Sequence, residues 1–209
     1  MRIQLKVQGV LDIQPDNAMS LIIVTDIQEK RQIALPVDMN LRMDFAIRRG
    51  KYVGDADKRR EVAQALQMAL PETLSAIIKY MTDLELCVVI VGVIKGEYRA
   101  IIEDQRTGTS FTIRATDGVL LTYADTHIPL YIDDALWKIQ STEYNGEQSK
   151  GIMLPLNTLS PMMLKSALRK CVDEEEYEMA EQLKKELNRR GIESSIMNED
   201  EDYEEDDLE

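Results

Sequence analysis

Apolar and polar positions alternate from the start of the chain. In Arg2-Ile3-Gln4-Leu5-Lys6-Val7-Gln8 every second side chain is apolar, the period of a strand with one buried face. Residues 2–13, 20–27 and 31–37 read as strands on this basis, and 38–49 as a helix. A helical region over 60–83 follows, broken or restarted at Pro71. The β-branched run LCVVIVGVI, the turn Lys95-Gly96, the segment EYRAIIED, the turn Arg106-Thr107-Gly108 and the segment SFTIRA then predict an antiparallel meander. A helix over 116–126, a strand over 129–132 and a short helix around Trp137, capped by Asp133 or Asp134, complete the unit. The expected class is α+β, a mixed or antiparallel sheet with helices over residues 1–139.

Periodicity then lapses. Residues 140–159 are polar, contain Gly146, Gly151 and Pro155, and read as a linker. From Ser160-Pro161, a helix cap and first turn, Leu164, Ala167, Leu168, Cys171 and Val172 form one helical stripe. Tyr177, Ala180, Leu183 and Leu187 form another, so 160–191 reads as a two-helix hairpin that Gly191 can end. Residues 192–209 lose all period and become acidic, which predicts a disordered tail.

The net charge of −13 argues against nucleic acid, but it is unevenly spread. Residues 191–209 hold ten of the 38 acids and no base, which leaves 28 acids against 25 bases, a net of −3, for residues 1–190. Within that nearly neutral body RRGKYVGDADKRR gathers Arg48, Arg49, Lys51, Lys58, Arg59 and Arg60. Such a cluster suits phosphate contact or an ordinary solvated connection. No apolar run reaches the roughly 20 residues of a membrane helix, and the first residues lack the pattern of an export signal, so a cytoplasmic chain without a membrane partner is expected. Cys87 lies in an apolar strand and Cys171 on an apolar helix face, as buried free thiols do. Exposed strand edges in a small α+β core also lead us to expect a homo-oligomer.

Candidate chemistry concentrates in FTIRATDGVLLTYADTHIPLYIDD, residues 111–134, where a strand runs into a helix with Arg114 and Asp117 together at the turn. Thr116 or Asp117 can cap that helix, worth about 1 kcal/mol, and Arg114 can pair with the carboxylate. The same two groups can also bind or activate a substrate. The sole histidine, His127, has no ligand-spaced partner and reads as a surface or hinge residue. No phosphate-binding Gly-rich loop, nucleophile elbow or zinc pattern occurs, which disfavours nucleotide hydrolysis, acyl transfer and zinc hydrolysis.

This run resembles the "RPSDAIALA…PIYV" signature of the bifunctional nuclease (BFN) family through Arg114, Thr116, Asp117, Leu121, Pro129, Leu130 and Tyr131. The resemblance extends over about residues 3–137, with LIIV at 21–24 and LPV at 35–37 in the places of the family's "ALVL…LPI". It departs where "IG..EA..AI" becomes Met39-Asn40…Met43-Asp44…Ala46-Ile47 and "LTHD" becomes Leu70-Pro71-Glu72-Thr73. The family resemblance implies hydrolysis of DNA or RNA. Its expected site is Asp117, Arg114 and Glu72, with Mg²⁺ or Mn²⁺ held by Asp117 and Asp44 and the strand held by the basic cluster. Residues 164–187 resemble a UVR domain, which implies docking of a protein partner through Tyr177, Ala180, Leu183 and Leu187. The other reading is a scaffold without catalysis that works through this hairpin.

Overall fold

The computed structural model describes residues 1–12, 20–50, 56–144, 146 and 155–192. Much of the linker expected over 140–159, the acidic tail from 193 and Lys51 lie outside the described residues. The chain forms two compact units, Met1–Thr158 and Leu159–Glu209. Its class is α+β.

In the first unit β1 (Arg2–Asp12), β2 (Ser20–Asp26) and β3 (Arg31–Val37) form an antiparallel meander that leads into α1 (Met39–Gly50). Two further helices follow, α2 (Ala56–Leu66) and α3 (Leu70–Met81), with Pro71 in the first turn of α3, where its missing N–H costs nothing. A second meander of β4 (Leu86–Ile94), β5 (Glu97–Asp104) and β6 (Ser110–Arg114) leads into α4 (Ala115–Ala124). The strand β7 (Leu130–Asp133) then enters between the two meanders, parallel to β4 and antiparallel to β1. The helix α5 (Asp134–Gln140) starts on Asp133, whose side chain accepts from the N–H groups of Ala135 and Leu136. Ser141, the first residue past α5, holds the Arg31 side chain. Thr142–Glu143, read from sequence as the start of a linker, instead lie on β3 as a short eighth strand.

The sheet order β6-β5-β4-β7-β1-β2-β3-β8 contains a repeat of three strands and a helix. Because β1 and β4 flank β7 in opposite senses, the two halves are related by an approximate two-fold axis. The first strand of each half carries a bulge at a glycine, between Val7 and Gly9 in β1 and between Ile90 and Gly92 in β4. The segments themselves share a pattern, LKVQGVL at 5–11 and VVIVGVI at 88–94.

One face of the sheet carries the main core. Val24, Ile33, Leu35, Val88, Ile90 and Ile132 are at most 1% exposed and join Phe45 of α1, Val119 and Leu121 of α4 and Trp137 of α5. Each such side chain contributes about 1.5–3 kcal/mol by leaving water. Gly118 lets α4 approach β4, since a Cβ there would meet Val88 Cγ1 at 2.7 Å and Ile113 Cδ1 at 2.9 Å.

The second unit is a helical hairpin of α6 (Pro161–Asp173) and α7 (Tyr177–Arg189). Ser160 accepts from the N–H of Met163 at the start of α6, and Gly191 follows α7 with φ near 69°, a conformation glycine adopts without a Cβ penalty. Among the described residues no helix is long and apolar enough to cross a membrane.

Gly118→Ala should overpack α4 against β4, a cost of about 1–3 kcal/mol that exceeds the gain of roughly 1 kcal/mol in helix propensity. The urea midpoint should therefore fall. An unchanged or higher midpoint would show that Val88 and Ile113 yield freely.

Candidate functional site

The strand β6 delivers Arg114 to the first turn of α4, and the packing of that helix decides which way its polar groups face. Ala115, Gly118, Val119, Leu120, Leu121 and Thr122 are buried, which leaves Arg114 and Asp117 on the solvent side. They meet in a two-point ion pair, Nε to Oδ2 at 2.8 Å and Nη2 to Oδ1 at 3.1 Å. Asp117 does not cap the helix, as no side chain does so at this terminus. Hydrogen bonding to Asp117, its charge and the fields of Asp38 and Glu97 raise the pKa of the Arg114 guanidinium. The two side chains remain 66% and 42% exposed, so the pair contributes at most about 1 kcal/mol to stability.

Arg48, expected on a phosphate-binding surface, is 1% exposed and instead ties helices together. Its Nε and Nη2 reach Glu72 Oε1 and Oε2 at 3.0 and 2.7 Å. Its Nη1 reaches the Asp44 carbonyl at 3.0 Å and Asp44 Oδ1 at 3.3 Å. Asp44 and Glu72 are therefore brought together, but around a guanidinium. A neutral partner would leave that charge uncompensated, and burying it unpaired is costly. Burial thus corrects the role of Arg48 from strand contact to internal support, and its bidentate grip turns Glu72 from a free acid into a half-buried counter-ion.

The expected Mg²⁺ or Mn²⁺ pair, Asp117 and Asp44, does not fit a preformed metal cage. Each carboxylate already faces an arginine, Arg114 and Arg48 respectively. Among the described residues no three His, Cys, Asp or Glu side chains gather as a metal-binding group.

Cationic groups do line one accessible place. A pocket of about 140 Å³ is bounded by Gly9, Val10, Arg42, Phe45, Ala46, Arg49 and Tyr123. Arg42 and Arg49 lie seven residues apart and so share one side of α1, while Phe45 and Tyr123 pack with ring centroids 5.3 Å apart. The bulge glycine Gly9 lines the rim, with open space around the position a Cβ would take. Two guanidinium groups beside aromatic rings suit a phosphate with an attached base. Phe45 of α1 packs on Tyr123 of α4, the helix whose first turn carries Asp117, so pocket and ion pair share α4. Sequence reading missed Arg42 and Tyr123. The seven-residue spacing from Arg42 to Arg49 is the signal that finds the first, whereas only the fold brings Tyr123 across. Arg59 and Arg60 are exposed on α2, and the Lys58 side chain lies outside the described residues.

His127 is exposed and pairs with Asp125 at 2.9 Å. Burial works against the Asp125 carboxylate, but hydrogen bonds from Ser75 and His127 outweigh it and hold its pKa below the usual value. Cys87 and Cys171 are buried free thiols whose pKa values desolvation raises, which leaves them protonated and unreactive.

In the hairpin, Ala180, Leu183 and Leu187 are 7%, 1% and 0% exposed, as buried as Leu164 and Leu168 of the facing helix. They cannot present a docking surface. Of the four residues expected to bind a partner, Tyr177 alone is exposed, at 67%. Glu186 accepts from Arg189 and Arg190, and despite partial burial these hydrogen bonds, Arg189's the largest, lower its pKa to about 2.

Arg48→Ala should cost about 3 kcal/mol or more in urea unfolding, because it strands a half-buried Glu72, whereas Arg114→Ala should cost under about 1 kcal/mol. Equal losses would contradict the difference in burial. Since Glu186 has a lower pKa folded than unfolded, its stabilisation is complete above about pH 4.5 and is lost as pH falls through about 2. The stability gap between the wild type and Glu186→Gln should therefore close over that window, and a gap independent of pH would rule out the ionic origin. Compared with known protein families and with curated proteins, the chain matches no family model and no curated protein.

Proposed function

We propose that this chain is a BFN-like nuclease that hydrolyses DNA or RNA at the Arg114–Asp117 ledge, with a UVR-like hairpin that docks a protein partner. The supporting observation is an ion pair left open to solvent on a helix whose other face is immobilised by burial. Because both side chains are exposed, a substrate can reach the pair and its opening costs little stability. A phosphate oxygen arriving at Arg114 displaces Asp117 from the guanidinium. Arg114 then balances the charge that grows on the phosphate, and the freed Asp117 carboxylate accepts the proton of the attacking water. The new bond is water oxygen to phosphorus, the bond that breaks is phosphorus to the leaving oxygen, and solvent protonates that oxygen. Arg42 and Arg49 hold the neighbouring phosphates, and Tyr123 offers a ring for a base. A reducing compartment such as the cytoplasm suits the two buried thiols.

A second reading has its own support. Because Arg48 engages both Asp44 and Glu72, the expected metal ligand Asp44 and the expected catalytic acid Glu72 are both occupied, and a scaffold without catalysis needs neither. Its working surface is the exposed side of α7 at Tyr177 and Met179, which are 67% and 43% exposed.

The test is cleavage of labelled single- and double-stranded DNA and RNA by the purified chain, with Mg²⁺, Mn²⁺ or EDTA. Asp117→Asn should lower kcat by about 10²-fold or more while the protein stays folded, as loss of a general base does. Arg49→Ala should act chiefly on KM. No cleavage, or equal cleavage by Asp117→Asn, would hand the function to the scaffold. That reading in turn expects Tyr177→Asp to abolish co-purification of a partner without loss of helicity.

A further inference from the structure

The helix α3 has an inner and an outer side. Glu72, Ser75 and Ile78 face the body of the first unit, where Glu72 holds Arg48, Ser75 hydrogen-bonds Asp125 and Ile78 packs on the main core. The outer side is apolar, and no residue of the helix is fully buried. Leu70, Leu74, Ile77 and Met81 are 77%, 37%, 43% and 77% exposed, with Tyr80 at 76% on the same side and Met68 at 89% in the turn before it. Taking about 200 Å² for a fully exposed large side chain, these six expose roughly 800 Å². That exceeds the largest apolar patch of a typical monomer, about 300–600 Å², and equals the roughly 800 Å² that each partner buries in a stable protein interface. The stripe itself carries no charge, and the cation at its border is Lys79, whose Nζ stands 5.4 Å from the Tyr80 ring centre.

We propose that this face is a two-fold interface between two copies of the chain, formed by antiparallel packing of α3 on α3. The stripe is spaced four, three and four residues apart, so it reads the same in both directions. A second copy placed antiparallel sets Leu70 against Met81 of that copy and Leu74 against its Ile77, one patch meeting itself as a two-fold axis requires. Because Glu72 and Ser75 tie α3 to Arg48 and Asp125 on its inner side, the helix backbone loses little freedom on association. This interface lies on a helix and not on the exposed strand edges from which the sequence suggests self-association.

Sedimentation velocity of the full chain at micromolar concentration should give a particle of twice the chain mass. Ile77→Glu and Leu70→Glu should each halve that mass with the far-UV circular dichroism unchanged, and Leu70, at the exposed start of the helix, serves if the first variant misfolds. Mild oxidation of a Leu74→Cys/Ile77→Cys variant should link two chains covalently in the antiparallel register. A wild-type monomer, a higher oligomer, a dimer that survives both folded glutamate variants, or a dimer that fails to cross-link would each overturn the proposal.

Discussion

The strand Leu130–Asp133 joins the two halves of the larger unit. Without β7, β1 and β4 would each end a three-stranded meander with an unpaired edge, and the two meanders would share no backbone hydrogen bonds. Pairing on both sides, Leu130 with Leu5 and with Val88, Ile132 with Ile3 and with Ile90, turns two marginal sheets into one and closes a core beneath it. Because β7 follows α4 after a short turn, its insertion also presses α4 onto β4, where only a glycine at 118 fits. The solvent-facing position of Arg114 and Asp117 follows from that pressure.

Arginine illustrates how the same chemistry takes two roles in one small unit. Arg48 is enclosed and bound by Glu72 and Asp44, so its charge is spent internally, while Arg114 holds an equally regular pair in open water. A guanidinium in the interior must keep its carboxylate, whereas one at the surface can exchange it for a phosphate at small cost. This difference removes Arg48 from the basic set expected to hold a nucleic acid and leaves Arg114 and Asp117, the expected centre, open to solvent. It also leaves Asp44 and Glu72 as parts of the framework.

Elements with strong periods were legible in the sequence. Both meanders, the helix after each of them and the Asp133 cap depend on alternation, β-branching and local hydrogen bonding, all of which act within a few residues. Thr142–Glu143 was not legible, because two residues carry no period and this strand exists through pairing with β3 and the grip of Arg31 on Ser141. The apolar stripes of the hairpin were legible as stripes, but their meaning was inverted. Leu183 and Leu187 are buried, and the residue left to meet a partner is Tyr177 at the edge.

What the sequence determined by itself, then, is local: strand, helix and turn identities, the pairing of Arg114 with Asp117 three residues on, and the separation of a neutral body from an acidic end. Tertiary structure alone decided that β7 pairs with both β1 and β4, that Arg48 faces inward, and that Tyr123 meets Phe45 beside Arg42 and Arg49. The reason is one of range. Periodicity and capping are written in backbone geometry over one or two turns, whereas burial of a charge and the convergence of side chains depend on contacts between segments up to about a hundred residues apart, whose closure no local pattern encodes.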